Sequence, residues 1–112
     1  MTMLVRVGVL PDDALDAASA FHTEVLPHLR AMPEAVITCV FPAAGHRHAD
    51  WRRAAIQSLA REIAPRRINA VVSDDEASIA AADAYLTTAE GVTGQYLPLD
   101  SEGAGKVLHS AP

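Results

Sequence analysis

Arg53-Ala54-Ala55-Ile56-Gln57-Ser58-Leu59-Ala60-Arg61-Glu62-Ile63-Ala64-Pro65, then Ile68-Asn69-Ala70-Val71-Val72, then Val92-Thr93-Gly94-Gln95-Tyr96-Leu97-Pro98-Leu99-Asp100 decide the fold of this chain. In the first segment Ile56, Leu59 and Ile63 recur at spacings of three and four, widened by Ala55 and Ala60. That spacing draws one apolar stripe on a helix. The spacing predicts a helix from Trp51 to Ala64, with Asp50 as its N-cap and Pro65 as its stop. Ile68 to Val72 is apolar almost throughout, as a strand covered on both faces must be. Gln95 to Leu99 reads as a further strand.

Working outward, Val36 to Phe41 is another continuous β-prone run. Met3 to Val9 is apolar on both faces except at Arg6, and Asp12 or Asp13 can cap the helix that follows. From Ala14 to Met32, Leu15, Ala18, His22, Val25, Leu29 and Met32 alternate at three and four residues, and Phe21 and Leu26 widen the stripe. Pro27 lies inside this helix and predicts a kink or joint. Glu76 to Glu90 is an alanine-rich helix with Ile79, Ala82, Leu86 and Ala89 on one side and Gly91 placed as its C-cap. The order β-α-β-α-β-α-β implies an α/β fold, a three-layer sandwich with a parallel sheet of four strands, three main helices and right-handed crossovers.

The three opening segments resemble, in family order, three segments of the short-chain dehydrogenase/reductase family: the helix after the active-site tyrosine, the buried strand "I-R-V-N-A-V", and the final "T-G-Q-x-L-x-V-D-G-G" strand. Val25-Leu26-Pro27-His28-Leu29 followed by Ala35-Val36-Ile37 is similar to an earlier helix and strand of the same family. The resemblance implies a Rossmann-like fold truncated to the family's C-terminal half. Residues 1–100 form one domain in this reading, and residues 101–112, including Gly103-Ala104-Gly105-Lys106, form a flexible polar tail.

The resemblance also assigns the catalytic positions, and their residues are wrong for the chemistry. Pro42 stands where the family has its carbonyl-orienting serine. The Tyr-x-x-x-Lys pair falls on Ala49 and Arg53, in a register that a shortened loop leaves open to a small slip. The tyrosines present are Tyr85 and Tyr96, and the sole asparagine is Asn69. Losing the general acid alone costs roughly two to four orders of magnitude in rate. No catalytic residue is therefore expected. A dinucleotide site needs a Gly-rich turn before its first helix. Here Leu10-Pro11-Asp12-Asp13 presents two carboxylates instead, so no cofactor is expected either. Val72-Ser73-Asp74-Asp75 runs straight toward the next helix, where the family inserts a long substrate lid.

Composition bounds the remaining function classes. At 112 residues with half of them hydrophobic, the chain suits one packed domain and not a disordered one. A net charge of −5 argues against nucleic acid. The lone Cys39 excludes a disulfide framework and implies a reducing compartment. With no leader pattern and no apolar run of membrane-spanning length, the expected location is the cytoplasm, with no membrane partner.

Two candidate surfaces remain. His46, His48 and Asp50 alternate on one loop and could fold around zinc, but a solvated turn ending in a helix cap is the better reading, with no metal and with both histidines dispensable for folding. Arg52, Arg53, Arg61, Arg66 and Arg67 make the second main helix locally basic, either as a solvated face or as a match for a partner's charge.

Two functional hypotheses follow. In the first, the chain is a non-catalytic subunit. The resembling family pairs its subunits through the two long helices that correspond to Ala14–Met32 and Trp51–Ala64. The expected interface comprises Leu15, Ala18, Phe21, His22, Val25, Leu29, Trp51, Ala55, Ile56 and Leu59. It would form a homodimer, a hetero-oligomer with a full-length short-chain dehydrogenase, or both. The strand Leu4-Val5-Arg6-Val7 would be a sheet edge, guarded by Arg6. In the second, the chain is a repurposed nicotinamide-independent isomerase, lyase or hydrolase, with His46 or His48 as base and Arg53 holding an anion.

Overall fold

The computed structural model describes residues 2–99. The elements run β1 (Thr2–Arg6), α1 (Ala14–Ala20), a π-helical turn (Phe21–Val25), α2 (Leu26–Ala31), β2 (Val36–Phe41), a 3-10 turn (His46–His48), α3 (Ala49–Ile63), β3 (Arg67–Val72), α4 (Glu76–Thr88) and β4 (Tyr96–Pro98). The strands pair in the order β1-β2-β3-β4, all parallel. The proposed tail, residues 101–112, lies outside the described residues.

Strand alternation sorts the core onto two faces. Ile37, Cys39 and Phe41 of β2, with Ile68 and Ala70 of β3, pack against Phe21, Leu29, Ile56 and Leu59. Val40 and Val71 point the other way, onto Ile79, Ala82 and Leu86 of α4. The result is the expected α/β three-layer sandwich, with α1, α2 and α3 on one face and α4 on the other.

That arrangement overturns the expectation of uniformly right-handed crossovers. The strand order advances in one direction throughout, yet α4 crosses on the face opposite to α1–α3, so β3–α4–β4 has the opposite hand to the first two connections. The physical reason is space. The face over β3 and β4 is already filled by α3, whose Ala60 lies against Gly94 just before β4. Only the other face remains for α4.

Pro27 acts as expected. A proline cannot donate to the carbonyl four residues back. The chain accommodates it with a wide turn immediately before, in which Leu26 N–H bonds to Phe21 O. The buried side of this segment is Ala17, Phe21 and Leu29, with Val25 packed at the margin. Leu15 is 83% exposed, so the stripe drawn through Leu15, Ala18 and His22 is rotated from the true core side.

Several element ends differ from the sequence reading. β1 stops at Arg6; Val7 N–H still bonds Val40 O at 2.8 Å, after which Gly8-Val9-Leu10 leaves the sheet. β4 is trimmed to Tyr96–Pro98. α3 begins at Ala49, entered through the 3-10 turn, so Asp50 falls inside the first turn and His48 is the N-cap, with no side-chain capping bond. α4 ends at Thr88, and Gly91 is not its cap. Arg67 takes that role: its guanidinium donates to the carbonyls of Leu86, Thr87, Ala89 and Val92 at 2.7–3.3 Å, satisfying the free end of the helix. Asp13 does cap α1, accepting from Asp16 N–H at 3.0 Å.

Candidate functional site

In an open parallel sheet, chemistry gathers at the carboxyl ends of the strands. Here that end is formed by Val7, Phe41-Pro42, Val72-Ser73 and Pro98-Leu99, with the start of α3 above β2. From the start of α3 two side chains four positions apart turn inward there: His48, 8% exposed, and Arg52, 3% exposed. Ser73 after β3 is also buried and accepts from Asp75 N–H. Ala49 is half-buried and Arg53 exposed.

Both inward groups are engaged in structure. His48 Nε2 lies 3.0 Å from the Asp12 carbonyl, and Trp51 Nε1–H donates to His48 Nδ1 at 3.1 Å. A carbonyl can only accept and an indole N–H can only donate, so the ring is the neutral Nε2–H tautomer with both nitrogens used. It ties the loop before α1 to the start of α3. His48 is therefore bonded into the fold, and it has no lone pair left for a metal or a substrate proton. Arg52 donates to the Pro42 carbonyl at 3.1 Å and lays its guanidinium over the Phe41 ring, 4.6 Å from the centroid. Its Nε is buried with no partner, and no carboxylate bonds it among the described residues.

The other candidates do not converge on these two. Arg53 stands over Tyr96 at 5.2 Å and approaches Asp50 at 3.7 Å. His46 is exposed. No group of three or more metal-ligating side chains forms among the described residues. Pro42 contributes its carbonyl to Arg52 and nothing more polar. Cys39 is fully buried below, and burial pushes its thiol up to about 12, a rise that nearby Arg52 only partly offsets. The arginines expected to form a basic face are mostly spent on backbone: Arg52 on Pro42, Arg66 on the Met32 carbonyl, and Arg67 on the end of α4.

On the far side of the same helices lies a groove of about 310 Å³ between the π turn and α2 on one wall and α3 on the other. Of the expected interface residues, His22, Trp51, Ala55 and Leu59 line it. The groove adds Leu26, Ala54 and Ser58, and Arg30 and Glu62 close one end with paired bonds of 2.8 and 3.0 Å. Phe21, Leu29 and Ile56 are fully buried in the chain's own core and present no surface. Ala18 and Val25 are half-buried.

The amino end of the sheet is where the opening segments meet. Asn69 donates to the Val92 carbonyl and accepts from Gln95 N–H, each at 3.0 Å. Ile68 N–H donates to Thr93 Oγ1 at 3.1 Å, and Gly94 N–H to the Ile68 carbonyl at 2.7 Å. Gly94 has φ +75°, and a β-carbon there would sit 3.4 Å from Ala60 Cβ on α3.

The model of the family described as short chain dehydrogenase-like protein matches residues 5–99. The chain belongs to that family. No curated protein and no solved structure matches it. The dinucleotide that such a family implies finds no seat at α1. Asp13 already occupies the helix start with its own carboxylate, and Asp12 adds a second negative charge beside it. Among the described residues no helix is long and apolar enough to cross a membrane.

Proposed function

We propose that this chain is a non-catalytic, short-chain-dehydrogenase-like subunit, cytoplasmic, that acts by association with itself or with a full-length, catalytically competent relative. The observation that carries the reading is the commitment of His48 and Arg52. The two groups that turn inward at the carboxyl end of β2 are both engaged in holding backbone and Trp51, so these two do not offer a free acid–base pair. The same observation weighs against the repurposed enzyme with His46 or His48 as base: His48 is fully bonded, His46 is exposed, and the anion holder Arg53 lies by Tyr96 and Asp50.

The helix groove is the surface that suits a partner. Its walls are small or apolar at Ala54, Ala55, Leu26 and Leu59, with Trp51 at one end. Small residues let a second helix approach closely, and each large side chain buried there would contribute roughly 1.5–3 kcal/mol. The test is co-expression with full-length short-chain dehydrogenases of the same genome, followed by affinity capture. A stoichiometric complex that Ala54→Glu abolishes supports the reading. Ala54 is exposed, so this variant leaves the core intact. Capture of no dehydrogenase, with the purified chain sedimenting as a monomer, refutes it.

A further inference from the structure

We propose that the outer edge of β1 takes up β1 of a second copy of this chain, antiparallel about a two-fold axis at Leu4, joining two four-stranded sheets into one. The surface is separate from the helix groove, and the two ideas stand or fall separately.

Among the described residues β1 pairs on one side only, with β2. The N–H and C=O of a strand residue point the same way and alternate along the chain. Val7 N–H bonds Val40 O at 2.8 Å, so Val5 and Met3 also face β2. Thr2, Leu4 and Arg6 therefore turn their backbone donors and acceptors to the open edge.

Exposed edges are normally blunted by charge. The single charged residue of β1 is Arg6, and its guanidinium is drawn off the edge by Glu76 through bonds of 2.9 and 2.7 Å. Arg6, expected to guard the edge, thus stands there with its charge paired by Glu76. Thr2-Met3-Leu4-Val5 is left uncharged, with Met3 37% exposed.

The strand is complementary to itself in one register. With Leu4 opposite Leu4 of the second copy, Thr2 falls opposite Arg6, and every outward N–H meets an outward C=O. On the α3 face Met3 then meets Val5, and on the α4 face Leu4 meets Leu4, so apolar side chains pair across the axis. No like charges meet. A shift of two residues either way leaves Thr2 or Arg6 without a partner, and a shift of one opposes outward groups to groups already bonded to β2.

Sedimentation of the purified chain over a wide concentration range tests this. The wild type is expected to dimerise. Leu4→Pro removes an N–H that the chain's own sheet does not use, and is expected to give a monomer of unchanged circular dichroism. Thr2 is exposed, so its variants leave the fold alone while changing the pair with Arg6. Thr2→Arg is expected to weaken the dimer about tenfold, and Thr2→Glu to tighten it by a similar factor. Residues opposed across such a pair lie about 5.5 Å apart between Cα atoms, within disulfide reach. Leu4→Cys should therefore cross-link on mild oxidation, while buried Cys39 of the wild type does not. A wild type that stays monomeric overturns the inference. So does a dimer indifferent to the Thr2 and Leu4 variants, or one broken only by Ala54→Glu.

Discussion

The two ends of the sheet are built to different ends. At the amino end, Asn69 bonds the backbone of Val92 and Gln95, Thr93 and Gly94 bond the backbone of Ile68, and Gly94 lets α3 close down on them. At the carboxyl end, where open parallel sheets gather their chemistry, Pro42, Ala49, His48 and Arg52 stand, and the last two hold backbone carbonyls and an indole. The segments that carry the family resemblance are those that lock the fold. Under the proposed function, His48 and Arg52 at that end serve the frame and not a reaction. The two ends thus draw on different residues, so frame and site can be tested separately.

If the amino end is the lock, damage there should be the most costly. Asn69→Ala removes both side-chain bonds and leaves the Val92 carbonyl and the Gln95 N–H to find other partners. A buried group left unsatisfied costs about 1–3 kcal/mol, so a loss of about 3 kcal/mol is expected in urea unfolding. A loss under about 1 kcal/mol would mean the lock is elsewhere. Gly94→Ala should follow, at about 2 kcal/mol, since the new methyl must adopt a positive φ and press on Ala60.

The carboxyl end should behave in the opposite way. Arg52 is a buried charge without a carboxylate, and replacing such a group by an apolar side chain of similar reach is often neutral or stabilising. Arg52→Met is expected to be neutral or to raise stability by about 1 kcal/mol. A large loss would show that its bond to Pro42 and its stacking on Phe41 outweigh the cost of burying the charge.

A smaller effect should come from Asp75, which caps α4 by accepting from Ser78 N–H at 2.9 Å and Ser78 Oγ–H at 2.7 Å. These bonds favour the carboxylate and hold its pKa below the ordinary 3.8. The stabilisation is therefore full above about 3.8 and is lost as the pH falls through the lower folded-state value. Asp75→Ala should lower the urea midpoint at pH 7, and its gap from wild type should close as the pH drops below that range.

Much of this architecture was legible because it is local. Spacings of three and four marked α3, largely apolar β-prone runs marked β2 and β3, and Pro27 announced a joint that the chain realises as a π turn. What escaped was settled by distant neighbours. Arg67 caps α4 through carbonyls 19 to 25 positions away, so nothing beside it signals the role that Gly91 was expected to fill. The opposite hand of the last crossover depends on α3 already covering β3 and β4. His48 and Asp50 looked alike in a polar loop, and only the approach of Asp12 and Trp51 separates a buried, fully bonded ring from an exposed carboxylate. Leu15 and Phe21 shared one stripe on paper, yet the sheet covers Phe21 and leaves Leu15 in water.

The central claim, that the carboxyl end of this sheet holds frame rather than chemistry, is tested most directly by calorimetry of the purified chain with NADH and with NADPH. The account predicts no saturable heat with either cofactor. Saturable binding at micromolar concentration would contradict it.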